Sequence, residues 1–144
     1  MTNFYKTKKC ELAITNIVAH ATQKERVKMK KLIEKYWSDM MDGMATQDKT
    51  KITQHFAPKA LYKYRTPESM MELAIDDLAA GCLQYKDTSS GKYYLEQIDE
   101  LKDGRWVSIL TSAISGKKYM TVSYFKFEND KIIDLMEYYG DLID

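Results

Sequence analysis

The chain has 144 residues, 44% of them hydrophobic and 30% charged, which is enough apolar material for one domain with its own core and too balanced for a disordered or fibrous chain. With 22 basic and 21 acidic residues the formal net charge is +1, so no bulk field draws the chain to nucleic acid or to an anionic membrane, and Lys6, Lys8 and Lys9 read as a solvated end. No apolar run is long enough to cross a bilayer, and two cysteines, Cys10 and Cys82, without metal-ligand or paired spacing indicate neither a zinc site nor a disulfide framework.

In chain order, CELAITNIVAHA looks at first like a leader core ending at Ala19-His20-Ala21, but Glu11 and Asn16 interrupt it. Leu12, Ile14, Ile17, Val18 and Ala21 instead recur at helical spacing, so residues 1–22 are expected to be an N-terminal helical extension on a cytoplasmic protein. Thr22-Gln-Lys-Glu25 has the form of a capping box, and Met29, Leu32, Ile33, Tyr36, Trp37, Met40 and Met41 then form a broad apolar stripe that Gly43 is placed to end. Asp48 can cap a short helix through Ile52, His55 and Phe56, stopping before Pro58. Ala60 to Arg65 alternates as a strand. Thr66-Pro67 with Glu68 predicts a helix over MMELAIDDLAA, closed by Gly81, and Asp87 to Gly91 reads as a loop.

Tyr93 to Leu101 and Arg105 to Ile114 read as strands joined by Lys102-Asp103-Gly104. Ser115-Gly116 leads into a hairpin, Tyr119 to Glu128 and Lys131 to Tyr139, around Asn129-Asp130. Helices followed by an antiparallel meander predict an α+β fold in a single domain over 1–144.

Strand parity divides each strand into two faces. Trp106, Ser108, Leu110 and Ser112 share one face with Thr121, Ser123, Phe125 and Phe127 and with Ile133, Leu135, Glu137 and Tyr139. This mixture of large rings and small hydroxyls suits a ligand cavity. The opposite face, with Val107, Ile109, Met120, Val122, Tyr124, Ile132, Met136 and Tyr138, is evenly apolar and suits contact with a second sheet. A homodimer through that face is the expectation.

The pattern resembles the nuclear transport factor 2-like superfamily, which includes SnoaL-like polyketide cyclases and ketosteroid isomerase. The resemblance rests on a helix ending YWSDMMDG, on HFAPKALYKY and TPESMMELAI, and above all on the hairpin SYFKFENDKIIDLMEYYGD, over residues 25 to 141. It implies a curved antiparallel sheet wrapped around N-terminal helices into a cone, a mostly apolar pocket at the open end, and a dimer through the convex face. Isomerase chemistry does not carry over: the position of that enzyme's Asp base falls on Tyr64 and that of its donor Asp on Ser123, leaving only Tyr36 in agreement.

Glu137 is the ionisable residue best placed for chemistry, because its parity puts a carboxyl among aromatics, where burial raises its pKa towards the range of a general acid or base. Tyr36, the second candidate catalytic residue, and Tyr62, Tyr64 and Tyr139 could supply hydroxyl donors. With Trp37, Met40, Phe56, Trp106, Ser108, Leu110, Ser123, Phe125 and Leu135 they make up the candidate ligand-binding set, each residue being equally at home in a core. His55 fits a helix end, and Asp76-Asp77, adjacent on a helix, diverge. No phosphate loop, nucleophile elbow or metal-ligand spacing is present, so the expectation is a small, mostly apolar ligand with no cofactor and no metal.

Overall fold

Strand pairing and helix capping fix the frame of the structure, a computed structural model that describes residues 21–84, 92–114 and 116–141. The helix expected from Leu12 onward, the loop over 87–91, Cys10 and Ser115 lie outside the described residues. The elements run α1 (Gln23–Thr46), α2 (Lys49–Thr53), β1 (Phe56–Arg65), β2 (Met70–Ala74), α3 (Ile75–Cys82), β3 (Tyr93–Glu100), β4 (Trp106–Ile114), β5 (Lys117–Glu128) and β6 (Lys131–Asp141).

The capping box forms as written. Glu25 N donates to Thr22 Oγ1 at 3.2 Å, and Thr22 N donates to Glu25 Oε2 at 3.1 Å. From there Ile33, Tyr36, Trp37, Met40 and Met44 are buried along one side of α1. Each such side chain contributes roughly 1.5–3 kcal/mol when withdrawn from water, so the stripe rather than intrinsic propensity holds the helix.

Gly43 does not end α1, contrary to the expectation. The helix continues to Thr46 and closes on Gln47, whose φ of 59° is left-handed. Gly43 is instead a point of close approach: a Cβ there would lie 3.0 Å from Asp48 O and 3.1 Å from Ile52 Cγ1. Its bare backbone lets α2, capped by Asp48 Oδ1 accepting from Thr50 N at 3.0 Å, fold back on α1.

The helix expected from Pro67 is also corrected. Thr66 and Ser69 close a turn, with Thr66 N donating to Ser69 O at 2.9 Å. Met70–Ala74 then pairs antiparallel with β1, from Leu61↔Ala74 to Arg65↔Met70. Met70, Met71 and Glu72 are exposed, so this stretch has no apolar stripe to bury as a helix, and the ladder offered by β1 satisfies its backbone instead. Only Ile75–Cys82 is helical, with Asp76 and Asp77 in its first turn, and Gly81 lies inside it rather than after it.

The six strands form one sheet in the order β2-β1-β6-β5-β4-β3. Neighbours are antiparallel except β1 and β6, which run parallel. The architecture is the expected α+β cone, a curved, unclosed sheet around helices. At the tip of the β5–β6 hairpin Asn129 (φ 51°) and Asp130 (φ 63°) are both left-handed, the geometry of a type I′ turn. The register then shifts between Lys126 and Phe127, which pair with Asp134 and Ile132, leaving Ile133 as an extra residue. This bulge turns Ile132 into the core, against its simple parity, and restores Leu135 and Glu137 to the inner face. Trp106, Ser108, Leu110, Ser112, Thr121, Ser123 and Phe125 are buried on that face as parity requires. Trp37 Nε1 donates to Ser108 Oγ at 3.1 Å, fastening α1 to it.

Replacing Gly43 by Ala sets a helix-propensity gain of ~1 kcal/mol against crowding of ~1–3 kcal/mol with backbone and Ile52. The expected result is a net loss of about 1 kcal/mol in urea denaturation; a more stable variant would show that α2 can move away freely.

Candidate functional site

A cavity of about 140 Å³ lies between α1, α3 and the inner face of the sheet. Helix α1 supplies Trp37, Met40, Met41 and Met44, and α3 supplies Leu78 and Cys82. The sheet supplies Leu110 and Ser112 from β4, Tyr119 and Thr121 from β5, and Glu137 and Tyr139 from β6. Helical spacing explains the first group, since Met40 and Met44 are one turn apart, and strand alternation explains the last.

Glu137 is 2% exposed and has no cationic partner among the described residues. Its carboxyl is held by hydroxyls. Ser123 Oγ, its cross-strand neighbour, donates to Oε2, and Tyr139 OH donates to Oε1 at 2.9 Å. Tyr62 OH lies 2.8 Å from Tyr139 OH. Because Tyr139 has spent its one proton on Glu137, Tyr62 is the donor in that contact, and a run of hydroxyls ends on the carboxyl.

Burial pushes the Glu137 pKa up from the ordinary 4.5, and the hydroxyls of Ser123, Tyr62 and Tyr139 only partly oppose this. Burial, then the Glu137 charge, raises Tyr36, Tyr62 and Tyr139, so all three remain protonated donors. The same two causes push the Cys82 thiol up to about 12, well away from the thiolate a nucleophile needs. Tyr36 is the hub of the core, edge-on to Trp37, His55, Phe56 and Phe125, yet its buried hydroxyl has no hydrogen-bond partner among the described residues.

Of the candidate residues, Trp37, Met40, Leu110, Glu137 and Tyr139 come together in the cavity wall. Ser123 and Tyr62 reach the same carboxyl network from the core. Tyr36, Phe56, Trp106, Ser108, Phe125 and Leu135 are buried outside the wall, and Tyr64 is half-buried with its hydroxyl on Met71 Sδ at 2.7 Å. Met41, Met44, Leu78, Cys82, Ser112, Tyr119 and Thr121 line the cavity without having been singled out. Ser112 and Thr121 carried the right parity, and Met41 lay in the apolar stripe, whereas nothing local marked Leu78 or Cys82.

His55 does not line the cavity. Its Nε2 lies 2.8 Å from Asp39 Oδ2, which also accepts from Lys35 Nζ at 2.7 Å and Gln54 Nε2 at 3.0 Å. Burial lowers the His55 pKa against the pull of Asp39, so the imidazole is neutral at pH 7 and ties α1 to the start of β1. Asp76 and Asp77 are exposed, the former 3.2 Å from Lys49 Nζ. Among the described residues no group of three His, Cys, Asp or Glu side chains is placed to hold a metal ion, and no helix is long and apolar enough to cross a membrane.

No family model matches the sequence and no curated protein sequence matches it. Solved structures do. An NTF2-like protein of unknown function from Shewanella baltica superposes with a TM-score of 0.64 at 15% identity, over 87% of this chain and 100% of the other. The fold is NTF2-like. A second NTF2-like protein of unknown function, from Silicibacter pomeroyi, gives 0.59 at 14% identity over 85% and 100%. The epoxide hydrolase/cyclase-like enzyme SalBIII, of pyran ring formation in the polyether salinomycin, gives 0.62 at 13% identity over 80% and 92%. The curved sheet and the cavity on its inner side are thus set in an NTF2-like frame.

A carboxyl whose pKa is raised in the folded chain favours folding below its unfolded value near 4.5, and that contribution is lost as pH rises through the folded value. The stability of Glu137→Gln relative to the parent is therefore expected to climb from about pH 4 upward and then level off, as read from melting temperatures. A difference that stays flat to about pH 8 would place Glu137 in an ordinary, solvated environment.

Proposed function

We propose that the chain binds one small, mostly apolar molecule in the cavity, as a homodimer joined through the convex face of the sheet. One observation carries the reading: a single buried carboxyl, Glu137, stands in a wall made mostly of thioethers, rings and aliphatic groups, with the small polar side chains of Ser112, Thr121 and Cys82 among them. Ligand sites have this composition, apolar surface with few polar groups to fix orientation. A cavity of about 140 Å³ is close to the ~150 Å³ that accommodates benzene, so the ligand is of one-ring size rather than steroid size.

Titration with toluene or indole tests this. Saturable binding is expected to raise the melting temperature, and Met41→Trp, which fills the cavity from a half-buried position, should abolish the shift while leaving the chain folded. Absence of any saturable response to ligands of this size would falsify the reading.

A second reading is supported by the Tyr62–Tyr139–Glu137 run of hydroxyls: a cofactor-independent lyase, isomerase or cyclase, with Glu137 as general acid or base and tyrosines as donors. A structural neighbour described as epoxide hydrolase/cyclase-like is in keeping with it. If a substrate is turned over, Glu137→Gln is expected to reduce kcat by ~10²–10⁴-fold while the chain remains folded, as read from circular dichroism.

The dimer follows from the outer face. Val107, Ile109, Met120, Val122, Tyr124 and Met136 are half-buried there, Tyr138 is 39% exposed, and the Tyr124 and Tyr138 rings meet edge-on at 5.9 Å. A partner sheet on this face supplies the ~1,200 Å² or more that stable association needs. Sedimentation is expected to give twice the chain mass, with Val122→Glu reverting to monomer; a monomeric parent chain would remove the proposal.

A further inference from the structure

We propose that the preferred ligand of the cavity is a compact organic cation, a protonated amine carried on one ring or a short branched chain, whose ammonium group pairs with Glu137. This rests on the small-molecule reading above and narrows it by charge.

Among the described residues the Glu137 carboxyl meets hydroxyls and no cation. Ser123 and Tyr139 both donate to Glu137, one to each oxygen, and Tyr62 donates to Tyr139. The hydroxyl neighbours of Glu137 can each accept as well as donate, so the carboxyl is accommodated in either protonation state, and burial favours the neutral one until a cation arrives. Hydroxyls stabilise a carboxylate through their dipoles but do not neutralise it. An unpaired charge at 2% exposure is costly, and no ion pair among the described residues includes Glu137. The missing cation can come from the ligand.

The rest of the wall agrees in kind. Among the described residues it contains no Lys, Arg or His to receive an anion. Trp37, Tyr119 and Tyr139 offer rings, and Met40, Met41 and Met44 offer polarisable thioethers, surroundings in which an alkylammonium is better accommodated than among aliphatic groups alone. Cys82, the titratable side chain that α3 supplies to the wall, is neutral as a thiol, which leaves Glu137 and its hydroxyls to set the sign of the site. Where Glu137 carries a proton before binding, pairing with an ammonium releases that proton to the buffer and no covalent bond changes.

Three probes of nearly equal shape decide the matter: benzylamine, benzyl alcohol and benzoate, titrated calorimetrically into the full chain near pH 7 in two buffers of different ionisation enthalpy. Benzylamine is expected to bind about tenfold or more tighter than benzyl alcohol, with benzoate not binding. Glu137→Gln should remove the advantage of the amine while leaving benzyl alcohol within about threefold. The ranking in the parent chain needs no variant, so it stands even if Glu137→Gln folds poorly. If benzyl alcohol equals or exceeds benzylamine, the charge preference is wrong while the small-molecule reading survives. If none of the three binds saturably, or if Met41→Trp leaves their binding unchanged, the proposal and that reading fall together.

Discussion

The register of the β5–β6 hairpin is the constraint on which the rest of the structure depends. A two-residue turn with both φ angles positive fixes Glu128 opposite Lys131, and the bulge at Ile133 then sets the pairing of every residue beyond it. A slip by one residue would carry Ser123, Phe125, Leu135 and Glu137 to the outside and bring Val122, Tyr124 and Met136 in. Such a sheet could not receive α1, because Ser108, which holds Trp37, is itself registered on Ser123. The chemistry of the wall and the packing of the core are therefore two results of one local geometry.

Given that register, the polar groups of the inner face form a graded series. At the Trp37 end they serve packing, since Ser108 accepts an indole N–H and is fully buried. At the Tyr139 end they converge on one carboxyl. Tyr36 stands between the two regions with four aromatic contacts and an unspent hydroxyl, and the charge of Glu137 is felt there. The core thus keeps tyrosine hydroxyls uncharged close to a carboxyl whose ionisation burial opposes, a combination that holds donors ready at neutral pH.

What could be read from the sequence was what depends on short-range periodicity. Alternation along Trp106 to Ser112 and Thr121 to Phe127 marked the inner face, and helical spacing marked Tyr36, Trp37 and Met40. The Asn129-Asp130 turn was legible because few residue types tolerate its backbone. What was not legible depends on partners distant in the chain. Met70–Ala74 has a helix-start signal before it, yet becomes a strand because β1 presents a free edge. Gly43 looks like a helix stop and is instead a contact with α2. Ile132 is turned inward by a bulge that alternation cannot anticipate, and Leu78 and Cys82 enter the wall only because α3 folds back over the sheet.

The parallel pairing of β1 with β6 bears on the order in which this molecule can assemble. Tyr62 meets Leu135 and Tyr64 meets Glu137 across 73 residues of sequence, whereas β3 to β6 are linked by successive short turns. Contacts so far apart in sequence form against a larger loop-closure entropy than the hairpins do. Because β6 lies between β1 and β5, a nascent chain without it holds two unconnected sheets, β2-β1 on one side and β5-β4-β3 on the other. The strand that brings Glu137 is also the one that joins the halves, so the pairing that closes the sheet and the placement of this carboxyl in the cavity wall are a single step.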